Sequence, residues 1–517
     1  MVEKIQVFRR TFMKIYPSVV ENIARNAALF PEKTALADSR KSYTYGELWN
    51  LILFLYQRLR DLNVTKGSCV VIECTQNADY MACEFAIQLA GGIFVPLEKN
   101  ASADRTLEII KDTEAVLYMG KSPAEGCPAS VGFTTIDALV SQFDTRGADS
   151  LPAEAAAPSF PEGEDVAEIL FSTGTTGKSK GIVLTHTNDT ALAENVICGV
   201  SMKPDNVELV PMPLSHSHGL RRTYANLVNG SSVVFADGVT LLKKVFNLMD
   251  TYRVTAMDLS PSMLSIIFKL SKDRLGDYAH VLDYIQLGSA PLPEEDKVHL
   301  SRILPRTRLY NFYGSTEAGC SCLLDFNSMS GKPGCIGKPA RNARFIVVDK
   351  DRREIKSSKD NPGFLASSGP INMKGYFKAP QLTDEVTGGG SPYIYTKDLG
   401  YIDEEGYIYM LGRKDDVINY GGIKIAPEEI ESIAVKYGPV SDCACVPVDD
   451  PLTGQAPKLF ISLEEGASYD QKDFKNYLAG ALDASKQPKY IEITDSIPRT
   501  FNGKIKRNLL IEKDRQP

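Results

Sequence analysis

Residues Phe171-Ser-Thr-Gly-Thr-Thr-Gly-Lys-Ser-Lys-Gly181 follow an apolar run and combine three features that suit a phosphate. Gly174 and Gly177 lack a Cβ, so backbone N–H groups can approach phosphate oxygens. The hydroxyls of Ser172, Thr173, Thr175 and Thr176 can add hydrogen bonds, and Lys178 adds charge. A Walker A loop is excluded, because the residue that must be its first glycine is Ser172. A flexible surface loop is the bland alternative, and an unbroken Ser/Thr/Gly run capped by lysine speaks against it.

Other candidates are weaker when taken singly. Tyr313-Gly-Ser-Thr-Glu317 follows the apolar run Leu309–Phe312 and by itself reads as a turn. Asp398 stands after Tyr395-Thr-Lys, ahead of a Gly-containing turn; its acceptor-only carboxylate suits two hydroxyls or a turn cap. Lys504 follows Asn502-Gly503, where a solvated loop lysine is the ordinary expectation, and Arg413 could be a surface cation. His216 and His218 form a His-x-His pair, but neither HExxH nor Cys-x-x-Cys accompanies it, so zinc is disfavoured. Cys320/Cys322 and Cys443/Cys445 lack histidine partners and read as structural thiols.

The elements that must position these residues alternate. Strands are expected at Cys69–Ile72, Ile93–Leu97, Ala115–Met119, Glu168–Phe171, Val207–Met212, Val233–Ala236, Ala256–Leu259, Tyr284–Leu287 and Leu309–Phe312. Helix-like spacing falls between them at Tyr80–Ala90, Leu241–Tyr252 and Glu294–Ile303. Such alternation predicts an α/β fold with largely parallel sheets. Thr145–Glu164, rich in Pro, Ala and Glu, reads as a linker. After about residue 340 come short strands at Ala343–Asp349, Tyr393–Tyr395 and Tyr407–Leu411, which predict a β-meander or barrel-like part. The last hundred or so residues restart as a small α+β unit, with helices Pro427–Tyr437 and Tyr469–Leu482 and strands Cys443–Val448, Leu459–Leu463 and Tyr490–Ile493.

Composition narrows the class. The 517 residues are 43% hydrophobic and 24% charged, which suits a globular protein with a sizeable core. A net charge of −7 lacks the basic excess of a dedicated nucleic-acid binder. No apolar stretch is long enough to span a membrane and the N-terminus lacks signal-peptide character, so a cytosolic protein is expected. Ten cysteines scattered through apolar runs fit free thiols in a reducing compartment.

The phosphate-loop candidate resembles the Thr/Gly-rich loop of the adenylate-forming superfamily, which comprises acyl-CoA synthetases, nonribosomal-peptide adenylation domains and luciferases. The resemblance continues in order through Tyr43-Thr-Tyr-Gly-Glu-Leu48, Gly91-Gly-Ile-Phe-Val-Pro-Leu97, Pro213-Leu-Ser-His-Ser-His-Gly-Leu220 and Leu287-Gly-Ser-Ala-Pro-Leu292. It goes on through Tyr313–Glu317, Tyr395-Thr-Lys-Asp-Leu-Gly400, Gly412-Arg-Lys-Asp-Asp416, Gly421-Gly-Ile-Lys-Ile425 and Pro498-Arg-Thr-Phe-Asn-Gly-Lys504. One match would be weak, but the ordered series spans essentially the whole chain.

The resemblance implies a large N-terminal adenylation domain (residues 1–412) and a small mobile lid (413–517) hinged near Asp415. It implies that Tyr313 stacks on adenine with Asn311 at the adenine edge and Gly288-Ser289-Ala290 as the other wall, that Phe312 and Gly314 belong to the same ATP site, that Thr316 meets the α-phosphate, and that Glu317 holds Mg²⁺. Asp398 would bind ribose, Arg413 ribose or phosphate, and Lys504 would be the catalytic lysine, bridging an attacking carboxylate and the α-phosphate. His216 would gate the acyl pocket, and Gly421-Gly422 would line a tunnel for a pantetheine arm. The implied activity is ATP- and Mg²⁺-dependent ligation of a carboxylic acid, fatty or aryl, to CoA, by a monomer or homodimer. Loading of a carrier protein and luciferase-type oxidation share the first step. A non-catalytic nucleotide-binding regulator is opposed by the presence of Glu317, Asp398, Arg413 and Lys504 together. Pro213–Tyr224 offers no Asp for an α-amine, which argues against amino-acid activation, and Arg221-Arg222 raises a diacid substrate as an expectation.

Overall fold

The computed structural model describes residues 14–143, 158–173, 179–290, 292–327, 332, 334–413, 416, 418–420, 423–500 and 504–515. The chain packs as two compact units, Met1–Leu170 with Val183–Ala236, and Phe171–Ile182 with Asp237–Pro517. The linker expected over Thr145–Glu164 falls mostly outside the described residues.

In the first unit, strands Cys69–Glu73, Ile93–Leu97, Leu117–Met119 and Gly132–Thr134 pair in parallel, and Glu168 of the strand Val166–Thr173 pairs with Phe94. A second set, Val207–Val210, Ser232–Phe235 and Thr34–Ala37, is also parallel, with Ser42–Thr44 antiparallel at its edge. Ser42–Thr44 leads straight into the helix Tyr45–Asp61. That helix starts where Thr44 and Glu47 form a reciprocal capping box, and it buries Leu48, Leu51, Ile52, Leu55 and Leu59 along one stripe. The helix Ala78–Leu89 is instead buried all round, so its Glu84 needs partners inside the protein.

Its partner Tyr224 comes from the helix Ser217–Asn229, which also carries the residues that raised the diacid expectation. Arg221, on the helix Ser217–Asn229, donates to Glu168 at 2.6 Å and to Asp189 at 2.8 Å. Arg222 donates through Nε to Glu208 at 2.9 Å. Tyr224 is hydrogen-bonded to Glu84 and, at 2.8 Å, to Glu168. A phenol has one proton to donate, so one of its two carboxyl partners must itself donate. Burial and the neighbouring Glu168 push the Glu84 carboxyl well above the usual carboxylate range, which makes Glu84 that donor. The diacid expectation therefore loses its basis in Arg221-Arg222: both guanidinium groups are buried and engaged by internal carboxylates.

In the second unit, Ala256–Leu259, Tyr284–Leu287 and Arg308–Ser315 run parallel, and their register aligns Leu259, Leu287 and Asn311. Antiparallel strands Gly319–Asp325, Cys335–Pro339, Ile408–Arg413, Tyr393–Ile402, Gly363–Ser368 and Arg344–Val348 follow, the meander expected from the turn-rich sequence. One expectation is corrected here. Asp398 lies within the strand Tyr393–Ile402 rather than before a turn, because Gly400 lets the strand pass against the Tyr409 carbonyl, where a Cβ would sit 2.3 Å away.

The C-terminal α+β part forms around the strands Val440–Asp450 and Gly454–Leu463, with Tyr490–Ile493 parallel to the latter. Alternate residues serve two cores. Cys443 and Cys445 pack with Ile430, Phe474 and Leu478, whereas Ala444 and Val446 pack with Ile497 and Leu510. Both thiols are pushed up by burial, as structural cysteines should be.

Removing Arg221 strands two buried carboxylates, so Arg221→Met is expected to lose about 3–5 kcal/mol in urea unfolding. A loss of about 1 kcal/mol or less, the size of a surface pair, would contradict the buried cluster.

Candidate active site

The carboxyl ends of parallel strands are where open α/β sheets bind ligands, and the second unit puts its unusual residues there. The shared register of Leu287 and Asn311 sets Gly288 beside Phe312. A Cβ on Gly288 would lie 1.9 Å from the Phe312 ring, so only glycine fits. Ser289 has a left-handed φ of 73°, strain of the kind stored at functional sites. Asn311 is 8% exposed and among the described residues its Oδ1 has no hydrogen-bond partner, which leaves a buried acceptor for a ligand's amino group. Gly288, Ser289, Ala290, Asn311 and Phe312 are thus brought together, as the sequence led us to expect.

Beyond Phe312 the strand turns back on itself. A register shift falls at Tyr313/Gly314, and a Cβ on Gly314 would meet the Gly319 carbonyl at 2.0 Å. Ser315 Oγ accepts from the Ala318 N–H at 3.0 Å, which closes a hairpin with Thr316 and Glu317 at its tip. Glu317 is fixed twice from the segment 373–376: its carbonyl accepts from the Met373 N–H at 2.8 Å, and its Oε1 accepts from the Tyr376 hydroxyl at 3.0 Å. Its carboxylate retains acceptor capacity and could hold a hard cation such as Mg²⁺.

Asp398 is the centre of the arrangement. Its cross-strand register partner is Arg413, whose Nε donates to Asp398 Oδ1 at 3.1 Å. The Tyr313 hydroxyl donates to the other carboxylate oxygen. Burial and Asp398 push the Tyr313 phenol well above its ordinary value, so it remains a donor. A carboxylate can accept about four hydrogen bonds, so capacity remains for two hydroxyls, such as those of a ribose.

Lys504 is tied to Thr500: its N–H donates to Thr500 Oγ1 at 3.0 Å and its carbonyl accepts from the Thr500 N–H at 2.7 Å. Crowding by protein, and then repulsion from Arg413, lower the pKa of its ammonium, while Glu317 and Asp398 act to raise it. Lys504 therefore shares one electrostatic neighbourhood with Arg413, Glu317 and Asp398, residues that stand 91 or more positions away in sequence.

Other sequence candidates belong to other elements or fall outside the described residues. His216, in the first unit, is the N-cap residue of the helix Ser217–Asn229, and among the described residues no cluster of three or more His, Cys, Asp and Glu is placed to hold a metal ion. Ser172 and Thr173 end the strand Val166–Thr173. Gly174, Thr175, Thr176, Gly177, Lys178, Asp415, Gly421 and Gly422 lie outside the described residues. Sequence reasoning misses Tyr376. The available signal is Gly375, whose φ of 153° and close approach to Thr383 fix the backbone that presents the tyrosine.

These features define a nucleotide-binding α/β enzyme. The chain belongs to the AMP-binding enzyme family: residues 23–377 match the AMP-binding enzyme domain, and residues 429–504 match the AMP-binding enzyme C-terminal domain. Among curated relatives, it is 27% identical to 4-coumarate–CoA ligase-like 9 of Oryza sativa subsp. japonica, covering 98% of this chain and 95% of the relative. It is 29% identical to a feruloyl-CoA synthase of an Amycolatopsis species, covering 93% and 96%. Its fold is that of ATP-bound MatB from Rhodopseudomonas palustris, with a TM-score of 0.85 and 23% identity over 96% of this chain and 99% of that one. Among the described residues, no helix is long and apolar enough to cross a membrane.

Gly288→Ala is expected to lose about 1–3 kcal/mol by overpacking against Phe312, and Phe312→Leu in the same chain should recover part of it. Strictly additive losses in a double-mutant cycle would mean that the ring is not the obstacle.

Proposed function

We propose that this chain is an AMP-forming acid–CoA ligase. The observation that carries the proposal is the convergence of Tyr313, Glu317, Asp398, Arg413 and Lys504, in a chain whose relatives are named 4-coumarate–CoA ligase-like 9 and feruloyl-CoA synthase. In the first step an oxygen of the acid's carboxylate bonds to the α-phosphorus of ATP and the bond to the β-phosphate bridge breaks, giving acyl-AMP and pyrophosphate. In the second, the CoA thiol loses its proton as its sulfur bonds to the acyl carbon, and the acyl C–O bond breaks, so that AMP leaves with the acid's oxygen. The acid is fatty or aryl, and the relatives' names favour aryl.

Asn311 and Tyr313 hold adenine against the wall Gly288-Ser289-Ala290, and Asp398 receives the ribose hydroxyls. Phosphates lie along Ser172–Lys178 and Thr316. Mg²⁺, when bound, neutralises phosphate charge, and Glu317 is the residue that would hold it. Lys504 bridges two anions that repel one another, the acid and the α-phosphate, and a positioned cation there is worth several kcal/mol at the transition state. The lid 413–517 then pivots near Asp415, placing Gly421-Gly422 along the thiol path, with His216 gating the acyl side. Ten free cysteines support a reducing, cytoplasmic location.

A panel of acids assayed for pyrophosphate and thioester, with CoA present or absent, tests the reading. Acid-dependent pyrophosphate with no thioester on CoA would move the acceptor to a carrier protein.

Lys504→Ala should slow acyl-AMP formation about 10²–10³-fold and spare thioester formation from added acyl-AMP. Equal loss in both steps would contradict the role. Because the working ammonium is protonated, adenylation should fall as pH rises through its pKa, which lies below the ordinary 10.5. Lys504→Arg should move that basic limb upward, since guanidinium stays charged. An unmoved limb would assign it to another group.

A further inference from the structure

Tyr376 lies outside the motifs named above, yet it is bonded to Glu317 and neighbours the strand that follows the proposed phosphate loop. Its hydroxyl donates to Glu317 Oε1 at 3.0 Å, and the Lys180 ammonium lies 5.8 Å from its ring centroid. Lys180 belongs to the strand Ser179–Thr185 that leaves the phosphate loop. The tyrosine's own backbone is clamped on both sides. Its N–H donates to Thr383 Oγ1 at 2.9 Å, and the next residue, Phe377, donates its N–H to the Gly181 carbonyl at 2.7 Å. The Met373 N–H also fixes the Glu317 carbonyl, so one short segment holds residue 317 through both main chain and side chain.

We propose that Tyr376 is a positioning residue for metal-nucleotide binding: its hydroxyl aims the Glu317 carboxylate at Mg²⁺ while its ring carries Lys180. This rests on the reading of Glu317 as the metal-holding residue. A hydrogen bond to one carboxylate oxygen restricts the rotation of the carboxylate and leaves the other oxygen for the cation. Outer hydrogen bonds of this kind are worth about 10–100-fold in metal affinity. The ring role is separable from the hydroxyl role, because phenylalanine keeps the face on which a cation rests.

The test uses the full-length protein and α,β-methylene-ATP, which cannot release pyrophosphate. Equilibrium dialysis with and without Mn²⁺ gives the ratio by which metal tightens nucleotide binding. Tyr376→Phe should cut that ratio about tenfold or more, with metal-free nucleotide affinity and melting temperature unchanged. Tyr376→Leu should also weaken metal-free binding, since the ring under Lys180 is lost. A wild-type protein whose nucleotide affinity ignores Mn²⁺ would overturn the underlying reading of the site. A wild-type ratio well above one that Tyr376→Phe preserves would overturn the positioning role alone. Equal weakening with and without metal, accompanied by a lower melting temperature, would also overturn it by making Tyr376 merely structural.

Discussion

The carboxylate of Asp398 is the junction on which the candidate site depends. It is nearly buried, and three strands meet at it: its own, that of Arg413 directly across in register, and that of Tyr313. A charge removed from water must be compensated by hydrogen bonds, and the phenol and guanidinium supply them without using all of its acceptor capacity. The same pairing fixes Tyr313 beside Asn311 and sets Arg413 where its charge reaches Lys504. Loss of this carboxylate would leave a buried phenol and a cation with no shared partner.

A second constraint is the absence of side chains where the backbone must pass closely. Gly288, Gly314 and Gly400 each stand where a Cβ would fall within 2.3 Å of another atom. These positions draw the parallel strand ends, the Thr316–Glu317 hairpin and the Asp398 strand into their places. The first unit solves a different problem. Its fully buried helix Ala78–Leu89 carries Glu84, which is accommodated by Tyr224 and by a carboxyl pKa raised through burial rather than by solvent.

Much of this is legible in the sequence, for physical reasons. The buried parallel strands Ile93–Leu97, Ala256–Leu259 and Tyr284–Leu287 are short apolar runs with clear ends, and they fall where the residues suggest. Glu317, Asp398, Arg413 and Lys504 are recognisable because motifs recur in order, although no local pattern could show that they share one field. Arg221 and Arg222 mislead because a charge beside a substrate-site motif looks available. Their partners Glu168, Asp189 and Glu208 lie far enough away in sequence to be invisible as pairs. Asp398 reads as a turn residue because Gly400 signals a turn as readily as a close strand crossing. Tyr376 escapes notice because a hydroxyl 59 positions from its acceptor leaves no periodic trace.

The central claim is that the acid's own oxygen attacks the α-phosphate. Carboxyl-¹⁸O-labelled acid, turned over with ATP and CoA by the full-length protein, tests it most directly through mass analysis of the nucleotide product. The account predicts AMP carrying one labelled oxygen. Unlabelled AMP, or label appearing in inorganic phosphate beside ADP, would contradict it.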